Sequence, residues 1–200
     1  ELELLYLVGI PRRFVDAIPE EMFRHLPTIK IGGDEDPKAQ DKITAFEENL
    51  KELKLHATIA EAITLQRLYG GACAIALVDD GLDPSEPLDI KRIRDIEGFV
   101  ALSRHECIPE DVNILDYSKP RTYRVSTSQR LSDDQEAPTT DIIIHSSRVA
   151  RFDGLYLPWN IRSRNTGWGM SCIQLVWDSY VRYESSLSGL DNMIQDSDMF

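Results

Sequence analysis

Gln66-Arg67-Leu68-Tyr69-Gly70-Gly71-Ala72-Cys73-Ala74-Ile75-Ala76-Leu77-Val78 is the stretch that decides the fold class. Upstream of it, Ile43, Phe46, Leu50, Leu53, Ala57 and Ala60 recur at intervals of three and four, the spacing of one buried helical stripe. The stripe is long enough to be two helices meeting near Leu55-His56. Gly70-Gly71 ends it, because glycine takes the left-handed backbone that closes a last helical turn. Ala72 to Val78 carries no polar residue and is short, so it predicts a buried strand. A long helix that stops at a double glycine and feeds a strand predicts an α+β protein: long helices packed on a small mixed or antiparallel sheet.

Toward the N-terminus, Leu2, Leu4, Leu5, Tyr6, Leu7 and Val8 are apolar, and Pro11 suits a first helical turn. Phe14, Val15 and Ile18 continue at helical spacing until Pro19, which predicts an end or kink. Ile31 to Asp36 predicts a loop, and Asp36-Pro37 a capped helix start. Toward the C-terminus, residues 79–89 carry Asp79, Asp80, Asp83, Glu86 and Asp89 with no base, which predicts a solvated loop. Phe99–Arg104, Tyr123–Ser126 and Asp141–Phe152 predict strands, the last with a turn inside it. Residues 128–140 and 160–169 predict loops. From Met170 onward, Ile173, Trp177, Tyr180, Leu187 and Ile194 predict a long helix with a broad aromatic face.

Composition narrows the function classes. The chain has 200 residues, 42% hydrophobic, with a formal charge of −12. Mean hydropathy is −0.30 and the pI is 4.8. These values exclude a wholly disordered chain, a collagen-like fibre and a protein that wraps DNA by neutralising phosphates. No apolar run approaches the ~20 residues of a membrane helix. The first residue is Glu1, with no leader-like segment, and the last, Phe200, lies inside a helical pattern; the chain reads as part of a longer protein. Cys73, Cys107 and Cys172 are widely spaced, which predicts reduced thiols used as small apolar residues.

Two features bear on chemistry. Between Ile142 and Trp177 the charge sign reverses: Arg148, Arg151, Arg162 and Arg164 stand against Asp153 alone. Such a segment in an acidic protein is a candidate contact for phosphate or for an acidic neighbouring subunit. The alternative is ordinary surface arginine balancing the chain's own acids. Separately, His56-Ala57-Thr58 and His145-Ser146-Ser147 fit the His-x-Thr/Ser pattern of two-histidine phosphoesterases, in which both imidazoles face one phosphate from neighbouring central strands. His145 follows a strand-like run, but His56 sits in the helical stripe. His105-Glu106-Cys107 holds three metal-ligand types in consecutive positions, which a strand turns to opposite faces. No Walker loop, GxSxG, HExxH or EF-hand pattern is present.

Several segments, taken in order, resemble tailed-bacteriophage portal proteins, specifically a portal family also described as an anti-CBASS-like N-terminal domain. They are Phe14 to Met22, Arg67 to Ala72, Ile144-His145-Ser146-Ser147-Arg148-Val149-Ala150-Arg151-Phe152, and Trp168-Gly169-Met170-Ser171 ahead of a long helix. Ser146 departs from the proline frequent in the family. The resemblance implies a structural, non-enzymatic protein without a cofactor. It implies a ring, usually of twelve subunits, at one capsid vertex, assembled in the host cytoplasm. Double-stranded DNA would pass through the ring during packaging and ejection. The implied partners are further copies, the terminase motor, head-completion or adaptor proteins and the major capsid protein, with no membrane. Residues 1–169 would form an α+β wing domain, and residues 170–200 the start of a helix toward the stem. Charge reversal at Arg148 and Arg151 is then expected to impair ring assembly. The alternatives are a phosphodiesterase using His56 and His145, and a virion adaptor or scaffold without a channel.

Overall fold

The computed structural model describes residues 2–7, 9–25, 37–111, 119–127 and 140–197. Four helices come first: α1 (Leu2–Tyr6), α2 (Gly9–Met22), α3 (Pro37–Glu52) and α4 (Leu55–Tyr69). The strands are β1 (Gly71–Asp79), β2 (Asp95–Ser103), β3 (Cys107–Glu110), β4 (Thr122–Thr127), β5 (Thr140–His145) and β6 (Val149–Asp153). Two more helices, α5 (Trp159–Arg164) and α6 (Cys172–Ser197), complete the described elements. The α+β class read from the double glycine is the observed one.

The strands form two small antiparallel sheets, ordered β2-β1-β6 and β3-β4-β5. β1 is the central strand of the first, pairing along its length with β2 and over its first half with β6. Alternation along β1 sends Cys73 and Ile75 into a core shared with Cys107, Tyr123, Val125 and Ile144 of the second sheet. The opposite face of β1 presents Ala72 and Ala74, small enough for α4 to pack closely on it. Trp168, fully buried, closes the inter-sheet core from one end. A second core of Val15, Leu68, Cys172 and Ile173 joins α2, α4 and α6.

The stripe divides as its length allowed. α3 ends at Glu52 and α4 starts at Leu55, with Lys54 in the left-handed region at φ 51°. Pro19, by contrast, does not end its helix. Proline has no N–H to give the carbonyl four residues back, here that of the fully buried Val15. Arg67 supplies the missing donor: its Nε donates to the Val15 carbonyl at 2.9 Å and its Nη2 to the Phe14 carbonyl at 2.7 Å. Residues 160–169 also depart from the expected loop, since the Pro158 carbonyl accepts from the Ile161 and Arg162 amides and starts the short helix α5. The loop expected at 31–36, the Asp36 cap and all of the loop expected at 128–140 except Thr140, which opens β5, lie outside the described residues. All three cysteines are buried and unbridged.

One crossing fixes where α6 leaves the body. A Cβ on Gly154 would lie 2.5 Å from the Gly70 carbonyl oxygen, and one on Gly169 would lie 2.6 Å from the Gly154 carbonyl carbon. Gly70 itself has φ 84° and faces the Gly169 carbonyl. Gly154→Ala is therefore expected to destabilise the fold by about 3 kcal/mol, since the obstacle is backbone. The drop in melting temperature is roughly 10 °C. Gly98→Ala, with open space around it, serves as the control and should melt near wild type. A second expectation concerns Arg67. Its replacement by Ala should cost about 1–2 kcal/mol, and less in a Pro19→Ala background, where an N–H returns to Val15. A double-mutant cycle in urea reads the difference.

Candidate assembly surface

The arginine segment sits at both ends of the first sheet, and its members do different work. Arg148 follows β5 in a single helical turn, Ser146–Arg148, and enters the body. Its Nη2 donates to Asp80 Oδ2 at 2.7 Å, Nε to the Glu86 carbonyl and Nη1 to the Val78 carbonyl. The side chains of Arg148 and Asp80 are 4% and 1% exposed. Asp80 was expected in a solvated loop; instead it is the buried anchor of that loop, also accepting from the Leu82 and Asp89 amides. Burial alone would raise its pKa. The Arg148 guanidinium and the two backbone donors outweigh that and hold the carboxyl below its ordinary range.

Arg151 and Arg162 are used at the opposite end of the sheet. The Arg151 guanidinium lies 3.8 Å from the Trp168 ring centre, and its Nη2 donates to the Gly167 carbonyl. The Arg162 Nε donates to the same carbonyl. Asp153 receives both arginines, one on each carboxylate oxygen, at 2.9 and 2.8 Å. Asn165 donates to the Trp168 and Gly169 carbonyls and accepts from Arg104. These contacts hold the Gly167-Trp168-Gly169 segment rigid before α6. Ser171 then caps α6, accepting from the Ile173 amide and donating to the Arg67 carbonyl. Arg164 alone of the four arginines is exposed and, among the described residues, makes no ion pair.

α6 is anchored only at its start, where Cys172 and Ile173 are buried. From Glu184 to Gln195 every side chain is exposed, among them Leu187, Leu190, Met193 and Ile194. Beside its first half runs an apolar groove of about 320 Å³, lined by Ile10, Pro11 and Phe14 of α2 and by Val176, Tyr180 and Tyr183 of α6.

The histidine motifs occupy unlike settings. His56 is in the first turn of α4, its ring edge-on to Phe23. His145 ends β5, where its Nδ1 lies 2.9 Å from Ser147 Oγ and accepts from the Ser147 amide, a cap for the following turn. Only one of the two is on a strand, unlike the paired central strands of two-histidine enzymes. His105, Glu106 and Cys107 diverge: His105 meets Tyr69 edge-to-face, Glu106 accepts from Ser103, and Cys107 enters the core. Contact with Cys107, then burial, pushes the Cys73 thiol pKa up. Among the described residues no group of three His, Cys, Asp or Glu could hold a metal. None of the described helices is long and apolar enough to cross a membrane.

A family model described as phage portal protein matches residues 3–199. The chain belongs to the phage portal protein family. It is also similar to two curated proteins named anti-CBASS protein Acb1. The one from Caulobacter sp. (strain RHG1) is 30% identical over 186 residues, covering 90% of this chain and 27% of that protein. The one from Sphingomonas paeninsulae is 25% identical over 199 residues, covering 94% of this chain and 29% of that protein. The chain thus spans less than a third of the length of the curated relatives it matches.

For this portal-family chain, sequence reasoning named the arginines but missed their acceptors. Asp80 is hidden in an acidic run, and no local pattern ties Asp153 to particular arginines. The usable signal was the lone Asp153 among four arginines. Because the folded pKa of Asp80 lies below the ordinary 3.8, its carboxylate stabilises the fold above that pH. That contribution disappears as pH falls through the lower, folded pKa. Asp80→Asn should be less stable at pH 7 and should lose this part of the acid dependence, as followed by circular dichroism. Arg164→Glu should stay within about 0.5 kcal/mol of wild type.

Proposed function

We propose that the chain is the wing region of a portal subunit, residues 1–169, with α6 as the start of the helix toward the stem. The full-length protein is then a ring at a capsid vertex through which double-stranded DNA is packaged and ejected. The observation that carries the reading is the family match over nearly the whole chain, joined to an α6 that is buried at its first turn and exposed from Val181 to Gln195. An exposed helix with apolar Leu187, Leu190 and Ile194 is poorly stable alone in water and favours an assembly that covers it. Net charge also fits: a conduit with a formal charge of −12 per chain repels phosphate and lets DNA slide. On this reading the partners are further copies, the terminase motor, head-completion proteins and the capsid shell, and no cofactor is needed.

The name of the curated relatives favours a second reading, an anti-CBASS role for the longer protein. A two-histidine phosphodiesterase would need His56 and His145 to converge, and their settings on α4 and at the end of β5 give that chemistry no support.

Electron microscopy of the full-length protein, with native mass to count subunits, tests the first reading. Closed rings with a hole wide enough for duplex DNA are expected. Monomers or dimers at high concentration would overturn it. Cyclic-nucleotide hydrolysis that is lost in His145→Ala would establish the second.

A further inference from the structure

Cys73 and Cys107 meet in the core between the two sheets, and neither is exposed to solvent. Main chain sets their meeting. Ala72 pairs with Ser103 at the end of β2, and the Arg104 amide donates to the Gly71 carbonyl at 3.0 Å. The Glu106 amide then returns to the Ser103 carbonyl, and the Glu106 carboxylate takes the Ser103 amide and hydroxyl. This tight turn delivers Cys107, the first residue of β3, beside Cys73 of β1. The two thiols are in hydrogen-bond contact. Cys172 lies in the other core, with Val15, Leu68 and Ile173.

We propose that Cys73 and Cys107 are a redox latch: on meeting a small-molecule disulfide they close an intramolecular disulfide that ties the two sheets together. Sulfurs already in contact need little backbone movement to bond. Arg151 stands opposite Cys73 in the strand register, and its charge favours the thiolate that exchange requires. Access comes through the turn. His105 and Glu106 are exposed and β3 is an edge strand, whereas β1 is central in its sheet. Local opening at residues 104–107 therefore brings out Cys107 first.

The Cys107 thiol loses its proton to water, and its thiolate attacks one sulfur of the small disulfide. The oxidant's S–S bond breaks and one small thiolate leaves. The Cys73 thiolate then attacks the Cys107 sulfur of the mixed disulfide, the Cys73–Cys107 bond forms and the second small thiolate leaves. Two protein thiols are oxidised, one small disulfide is reduced to two thiols, and the two protons end on them. The new bond closes a loop that contains all of β2, which constrains the unfolded chain and stabilises the fold. The thiol pair carries this inference by itself. The portal reading supplies only the timing, since a virion assembled in a reducing cytoplasm is released into oxidising surroundings.

The test treats the reduced, native full-length protein with hydroxyethyl disulfide below its melting temperature and maps its peptides by mass spectrometry without reduction. A Cys73–Cys107 linked peptide is expected, with Cys172 still free. The oxidised protein should melt about 5 °C above the reduced one, and dithiothreitol should reverse both changes. Cys73→Ala should instead hold a single hydroxyethylthio adduct on Cys107 and show no such rise. Wild-type protein in which both thiols stay free, or in which Cys107 keeps the adduct while Cys73 stays free, overturns the latch. So does a bridge from either cysteine to another copy, or one that forms only above the melting temperature. A linked peptide in protein that forms no rings keeps the latch and removes the portal timing; rings without the linked peptide do the reverse.

Discussion

Three stretches of backbone cross at Gly70, Gly154 and Gly169 with no room for a single Cβ among them. The rest of the structure depends on that crossing. It joins the end of α4, the end of β6 and the approach to α6 at one point. Gly154 donates to the Gly70 carbonyl, and Met170 and Leu155 exchange two more backbone hydrogen bonds beside it. Trp168 lies against Gly71 and fills the end of the inter-sheet core. The direction in which α6 leaves the body is therefore fixed by main chain as well as by the side-chain core of Val15, Leu68, Cys172 and Ile173. Main-chain contacts of this kind are stiff, because no rotamer change can relieve a displacement. A helix that must emerge at the same angle in every copy of a symmetric assembly gains from such an origin.

Arg67 extends the same junction to the N-terminal helices. Its side chain completes α2 at the position where Pro19 withholds a donor, and its carbonyl takes the hydroxyl of Ser171 at the start of α6. One residue thus couples α2, α4 and α6. This explains why a proline can stand inside α2, and why Arg67 directly precedes the Leu68-Tyr69-Gly70-Gly71 sequence. A lysine could not do the same, since two carbonyls one residue apart need the fixed fork of a guanidinium.

How much of this was legible in the sequence follows from range. The double glycine, the β1 run and the α6 face are local patterns, and they gave the α+β class and the order of elements. The division near Leu55 was visible because the stripe was too long for an ordinary helix. What stayed hidden was every long-range polar pairing. Asp80 meets Arg148 across 68 residues, and Arg67 meets Val15 across 52. Periodicity carries no information about such partners. The continuation of α2 through Pro19 was illegible for the same reason: the local rule was sound, and a distant donor overrode it. Among the site residues, the sequence marked the arginine segment but could not divide arginines that bind the fold from one that faces outward.

That division changes what the charge reversal means. Arginine is costly to bury unless its fork is filled, and here Asp80 and two carbonyls fill that of Arg148, while Asp153 and the Gly167 carbonyl meet both Arg151 and Arg162 and leave Arg151 Nη1 buried without a hydrogen-bond partner. Three of the four cations are therefore part of the fold's own structure, and the local excess of positive charge is largely cancelled inside it. Of the four, only Arg164 stays exposed, on an apolar ledge, while Arg94, Arg121 and Arg182 are exposed elsewhere on the chain. What the fold presents outward is then set less by its net charge than by the rigidly aimed α6 and the apolar groove between it and α2.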